Sequence, residues 1–167
     1  MAESDEEEMF AKLEADDSLG GFREQRMQQL SEHMRQVHKY KSMGHGSYEA
    51  CVDEREILAL TSAPKRSMVH FFHEDFHRCH LLHEHLAKLA QTHYETKFTC
   101  IRVQDAPFLV DRLHIQVLPA LLLFDQGHCI DRVIGFDSVG DGGDHFTTQQ
   151  LEARLLRASI IDRVDAG

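Results

Sequence analysis

No two of the four cysteines are spaced as Cys-x-x-Cys, and no apolar run approaches the roughly 20 residues that cross a bilayer. The first absence removes a zinc ribbon, and the second removes a membrane-spanning helix. The amino terminus is acidic where a secretory signal would be apolar, so a reducing cytosol is the expected home. Cations are scarce: 18 Lys and Arg against 28 Asp and Glu leave a formal charge of −10, which opposes general nucleic-acid binding. No phosphate loop with its lysine is present, and no complete set of metal ligands stands at zinc spacing.

What is present divides the 167 residues into four parts. Residues 1–19 read as a disordered acidic tail, because Glu3 to Asp17 carry eight acidic side chains against Lys12 alone. Residues 20–43 read as a basic amphipathic helix. Its apolar positions Met27, Leu30, Met34 and Val37 recur at helical spacing, and Arg23, Arg26, Arg35, Lys39 and Lys41 outnumber Glu24 and Glu32. That stripe is either core or an interaction face, with Phe22, Arg23, Arg26, Met27, Leu30, Met34 and Arg35 as the candidate partner-binding residues. Gly44-His45-Gly46 supplies a helix stop. Residues 44–160 form the globular domain, and residues 161–167 a short tail.

Within the domain the spacing predicts a strand at Tyr48–Val52 and a helix at Asp53–Leu60, with Asp53 and Glu56 in capping-box positions. A buried strand at Met68–Phe72 follows, then a long helix from Phe76 to His93 with Leu81, Leu82, Leu86 and Leu89 inward. Phe98–Val103 is a strand, Pro107–Leu113 a short helix and Ala120–Phe124 a second central strand. A hairpin turn at Asp125-Gln-Gly127 leads to a strand at Cys129–Ile134. The closing helix starts at Thr147, with Gln150 three residues on and Leu151, Leu155 and Ile160 inward.

This order resembles thioredoxin: an α/β fold with a central mixed sheet flanked by helices, here with an N-terminal helical extension. Thioredoxins carry Cys-x-x-Cys where the first central strand enters its helix, and this chain carries Phe76-His77-Arg78-Cys79. Leu118-Pro119 resembles the turn that holds the thioredoxin cis proline. The motif is therefore degenerate at Phe76, His77, Arg78, Cys79 and Pro119: the scaffold is kept and the attacking thiol is gone. Cys79 reads as a small core residue, and a single-thiol redox role for it is the alternative function. His70 occupies the strand position of the buried thioredoxin aspartate and reads as a hydrogen-bonded core histidine.

A set of further pieces resembles the phosducin-like proteins, in the short branch of thioredoxin-domain-containing protein nine. They are Phe22-Arg-Glu-Gln-Arg26, Gly44-His-Gly46-x-Tyr48, Phe76-x-Arg78-Cys79, Glu95-Thr-Lys97-Phe98, Ala106-Pro107-Phe108-Leu109, Arg112-Leu-His-Ile115, Leu118-Pro119, Gly135-Phe136 and Asp144-x-Phe146-Thr147-Thr148. The resemblance implies a cytoplasmic, non-catalytic co-chaperone without cofactor or metal. Its implied partners are the cytosolic ring chaperonin and tubulin or actin clients, with no nucleic acid and no membrane. The extended region by which phosducin engages G-protein beta-gamma dimers has no counterpart in the chain, so that partner is not carried over.

Thirteen histidines are many for this length, and seven of them lie from His70 to His93. His77 and His80 share a helical face, but two ligands do not close a zinc site. Asp137, Asp141 and Asp144 lack EF-hand order and its terminal glutamate.

Overall fold

The computed structural model describes residues 17–42 and 45–163. Most of the expected acidic tail, residues 1–16, lies outside the described residues, as do Met43, Gly44 and the last four positions. Contacts divide the chain into two units, 1–39 and 40–167.

Helix α1 (Asp17–Ser42) begins before the glycine pair at which the sequence suggests a boundary. Gly20 and Gly21 lie inside it, with open space where a side chain would be. Each glycine costs a helix about 1 kcal/mol, a penalty that good helix formers downstream absorb. At the other end, His45 donates its N–H to the Tyr40 carbonyl, and Gly46 takes φ +89°. A β-carbon at Gly46 would lie 2.6 Å from the Tyr94 ring, so the close approach as well as the dihedral requires glycine. The His45 ring stacks on Tyr40 and donates Nδ1–H to the Tyr94 carbonyl.

The second unit is built on a five-stranded sheet in the order β1-β3-β2-β4-β5. Its strands are β1 (Tyr48–Cys51), β2 (Arg66–Phe72), β3 (Thr96–Arg102), β4 (Ala120–Asp125) and β5 (His128–Ile134). Strands β1, β3 and β2 run parallel, and β4 and β5 are antiparallel additions. The helices between them are α2 (Glu54–Ser62), α3 (His77–Thr92), α4 (Pro107–Arg112) and α5 (Thr148–Arg157). Strand β2 is central and covered on both faces, which is why it reads as a nearly unbroken apolar run.

The period of two sorts its side chains. Met68 joins Leu121 and Leu123 of β4 against Leu82, Leu86 and Leu89 of α3 and Leu151 and Leu155 of α5. Val69 and Phe71 face the other way, with Leu122, against Ile57 of α2 and Leu109 of α4. Leu81 is half-buried and packs against the first of these clusters, as expected. Two local expectations need correction. Ile160, fully buried, lies beyond the end of α5. Asp53 does cap α2, but by accepting from the Arg55 N–H. At Thr147 the full capping box forms with Gln150.

Candidate functional site

The junction from β2 into α3 holds the degenerate motif. Phe76 is the N-cap residue of α3, 46% exposed, with no side-chain capping bond, and its ring lies 5.3 Å from that of His73. Cys79 sits one turn inside and is 0% exposed. Burial pushes its thiol up, away from the thiolate that nucleophilic chemistry needs. His77 is exposed. Arg78 bridges to the glycine-rich loop: its Nε stands 2.9 Å from the Asp144 carboxylate as an ion pair, and its guanidinium lies over Phe136. The Leu118-Pro119 bond is cis and Pro119 is buried, as the thioredoxin likeness leads one to expect.

Behind the motif, Cys79, Cys100 and Phe72 form one small buried cluster, with Tyr48 and Leu118 packed against it. Bringing Cys100 beside this corner is the work of sheet pairing, in which β3 aligns Cys100 with His70. Both thiols are free, and burial pushes Cys100 up to about 11. The same corner holds an unforeseen polar group. The Tyr48 hydroxyl lies 2.8 Å from His70 Nδ1 and 2.6 Å from His83 Nδ1. One phenol proton cannot serve two imidazole acceptors, so one ring donates to the oxygen while the other accepts from it. Burial lowers the affinity of both rings for a second proton, and each histidine is further opposed by a neighbouring one, His83 acting on His70 and His80 on His83. Burial likewise pushes the Tyr48 phenol above its ordinary value. His70 is thus a core histidine as expected, but its Nε2 has no partner among the described residues.

Among the described residues no three His, Cys, Asp or Glu side chains converge as a metal ion would require. His80 donates Nε2–H to the Glu74 carbonyl, and Asp141 accepts from the Gly143 N–H. No described helix is long and apolar enough to cross a membrane.

On α1 the candidate partner-binding residues are all exposed, as is every residue from 21 to 36. Phe22, Met27, Leu30 and Met34 are 58–71% exposed, and Arg23, Arg26 and Arg35 are exposed as well. With about 3.6 residues per turn, Arg23 and Arg26 fall in the sector of the Met27, Leu30, Met34 stripe, whereas Glu32 falls opposite it.

The Phosducin family model matches residues 1–162. Thioredoxin domain-containing protein plp1 of Schizosaccharomyces pombe is 40% identical over 95% of this chain and 56% of its own length. Thioredoxin domain-containing protein 9 of Homo sapiens is 38% identical over 88% of this chain and 65% of its own length, so the chain spans less than two thirds of either relative. Phosducin-like protein 3 of Dictyostelium discoideum is 38% identical over 88% of this chain and 78% of its own. Among solved structures, Malassezia sympodialis thioredoxin superimposes with a TM-score of 0.56 at 17% identity, over 68% of this chain and 91% of that one. A mutant thioredoxin of Halobacterium salinarum does so at 0.55 and 18%, over 71% and 95%. With a thioredoxin fold whose redox corner is degenerate and a family match spanning nearly its whole length, the chain belongs to the phosducin family.

Proposed function

We propose that this protein is a non-catalytic co-chaperone that binds the cytosolic ring chaperonin through α1 and modulates folding of tubulin or actin clients. The observation that carries the binding role is the exposed apolar stripe of α1, with arginines in its own sector. Such a face suits a partner groove that is apolar with an acidic rim. The identity of the partner rests on the resemblance to phosducin-like proteins. Against dithiol catalysis stands the state of the motif corner: position 76 is phenylalanine, and Cys79 and Cys100 are buried with raised thiol affinities for the proton. The same burial weighs against a single-thiol redox role for Cys79.

The test is co-sedimentation with intact chaperonin, with and without ATP, for the wild type and for a variant carrying Met27→Glu, Leu30→Glu and Met34→Glu. Exposed positions of this kind change stability by only about 0.5 kcal/mol each, so the melting transition should be kept. The affinity should fall at least about tenfold, the equivalent of about 1.4 kcal/mol. Equal binding by the variant would move the contact off α1. No sedimentation of the wild type would remove the chaperonin reading.

A further inference from the structure

At the C-terminal end of α3, the His93 ring is 1% exposed and stands between two carboxylates. Its Nδ1 lies 2.8 Å from Glu95 Oε1, just ahead of β3, and its Nε2 lies 2.9 Å from Glu152 Oε2 on α5. Glu95 Oε1 also accepts the Asp162 N–H at 2.9 Å. The Asp162 carboxylate takes both NH groups of Arg66 on β2, at 2.9 Å each. Beside this chain of bonds, Thr96 donates to the Ile160 carbonyl, and Ile160 and Ile161 are buried in the core. His93 therefore joins three parts of the domain: the entry to β3, helix α5 and the segment that closes over both.

A neutral imidazole has one N–H. It can satisfy one of these carboxylates, and would turn a lone pair toward the other inside a desolvated site. We propose that His93 is a proton-operated latch: as an imidazolium it holds α5 through Glu152 and the closing segment through Glu95, and on giving its proton to solvent it lets Glu152 go. Glu152 is the partner released because its side chain is 32% exposed against 17% for Glu95, which also keeps the Asp162 N–H. The release is local, since Leu151 and Leu155 stay fully buried under α5.

The charged and titratable groups around the latch support this direction. Glu95, Glu152 and Asp162 face it, and Arg66 is engaged by Asp162. His45, beyond Glu95, is turned to the Tyr94 carbonyl and is held low by burial, with Lys65 and Lys97 adding to that. Burial alone would lower His93 too, but hydrogen bonds to Glu95 and Glu152 outweigh it and raise its proton affinity above the ordinary imidazole value. Glu95 shifts the opposite way: burial raises it, but the bonds from His93 and the Asp162 N–H win and lower it. The latch does not depend on the chaperonin reading.

The experiment follows ring nitrogen shifts of His93 by NMR in the full chain, together with amide-exchange protection at Leu151–Leu155 and Ile160–Asp162, from about pH 6 to about pH 9. Both ring nitrogens should be protonated at the acid end. The opening constant of Leu151–Leu155 should then rise by up to about tenfold per pH unit until His93 has titrated, while Ile160–Asp162, still held by Glu95, and the β2 amides, corrected for intrinsic exchange, show no such step. Glu152→Gln should move the His93 titration, and the opening with it, to lower pH. His93→Gln should abolish the pH dependence; if that variant does not fold, the wild type and Glu152→Gln still decide. A neutral His93 at about pH 6, or protection that stays constant through its titration, overturns the latch.

Discussion

The two ends of α3 handle buried histidine in opposite ways. At the N-terminal end, His70 meets a phenol, another imidazole and the Phe72 ring, and burial holds its proton affinity well below the ordinary value. At the C-terminal end, His93 meets two carboxylates and holds its proton more tightly than an ordinary imidazole does. Burial is nearly the same, at 0% and 1% exposed, so burial does not decide the charge. The partners do. In a thioredoxin the N-terminal end is where reactive charge is stabilised; in this chain burial and neighbouring imidazoles oppose charge on His70 and His83 there, while two carboxylates favour it on His93 at the opposite end.

The sharpest way to break the contrast is to remove the charged end. His93→Leu leaves Glu95 and Glu152 without the cation between them, and removing one partner of a buried pair costs about 3 kcal/mol or more. Urea unfolding at neutral pH should show that loss. Its pH dependence gives a second reading. Because the His93 proton affinity is raised in the folded state, its contribution is full below the ordinary value of 6.5 and is lost as pH rises through the raised value. His70 and His83 are lowered, so their contribution is present above 6.5 and is lost as pH falls toward their folded values. Glu95, also lowered, adds a further loss below 4.5. The wild type should therefore weaken on both sides of neutrality, and His93→Leu should flatten the alkaline side and lessen the loss below 4.5, since His93 helps to lower Glu95, while the acid loss from His70 and His83 remains. Flattening of the acid side instead would mean that the two ends have been assigned the wrong way round.

A smaller effect belongs to the neutral end. Tyr48→Phe keeps the ring in its packing beside Cys79 and Cys100, but deprives two imidazole nitrogens of their shared hydroxyl. Leaving buried polar atoms unpaired costs about 1 to 3 kcal/mol. A loss near the bottom of that range is expected, since His83 is only half-buried and water can reach it. Thermal unfolding measures it, and an unchanged melting temperature would show that the hydroxyl is not the hub that the distances imply.

Neither end of α3 could be read in full from the sequence. The long helix, its inward leucines and the loss of the attacking thiol are local patterns, visible in Phe76-x-x-Cys79 and in the spacing of Leu82, Leu86 and Leu89. His70 in a buried strand position was legible by analogy with thioredoxin. Its hydroxyl partner was not, because Tyr48 reaches it only through the pairing of β1 and β2 on either side of β3. Glu152 stands 59 positions from His93, and no periodicity links a helix C-terminus to a particular face of a later helix. The three glutamates and aspartates at that end look like ordinary solvated charge until the fold places a buried imidazole among them. The start of α1 was misjudged for a different reason: Gly20-Gly21 is a local stop signal, and helix propagation overrode it.

The smallest expected change in stability carries the most information about the lost chemistry. Phe76→Cys, made in a Cys129→Ser background because Cys129 is exposed, restores the spacing of a dithiol motif at the start of α3. Position 76 is a partly exposed N-cap site, so the substitution should shift stability by only about 0.5 kcal/mol. The helix N-terminus favours a thiolate there. The introduced thiol should react with iodoacetamide at least about tenfold faster than Cys79 does, corresponding to at least about one unit of difference in proton affinity at a pH below both. Insulin reduction should be absent from this variant and from the wild type alike, because the resolving position, Cys79, is 0% exposed and its thiol is pushed up by burial. Alkylation without turnover would show that both halves of the motif have been given up, one by substitution and one by burial. Turnover on insulin would instead show that Phe76 alone separates this corner from a working redox site, and slow alkylation would show that the start of α3 no longer stabilises an anion.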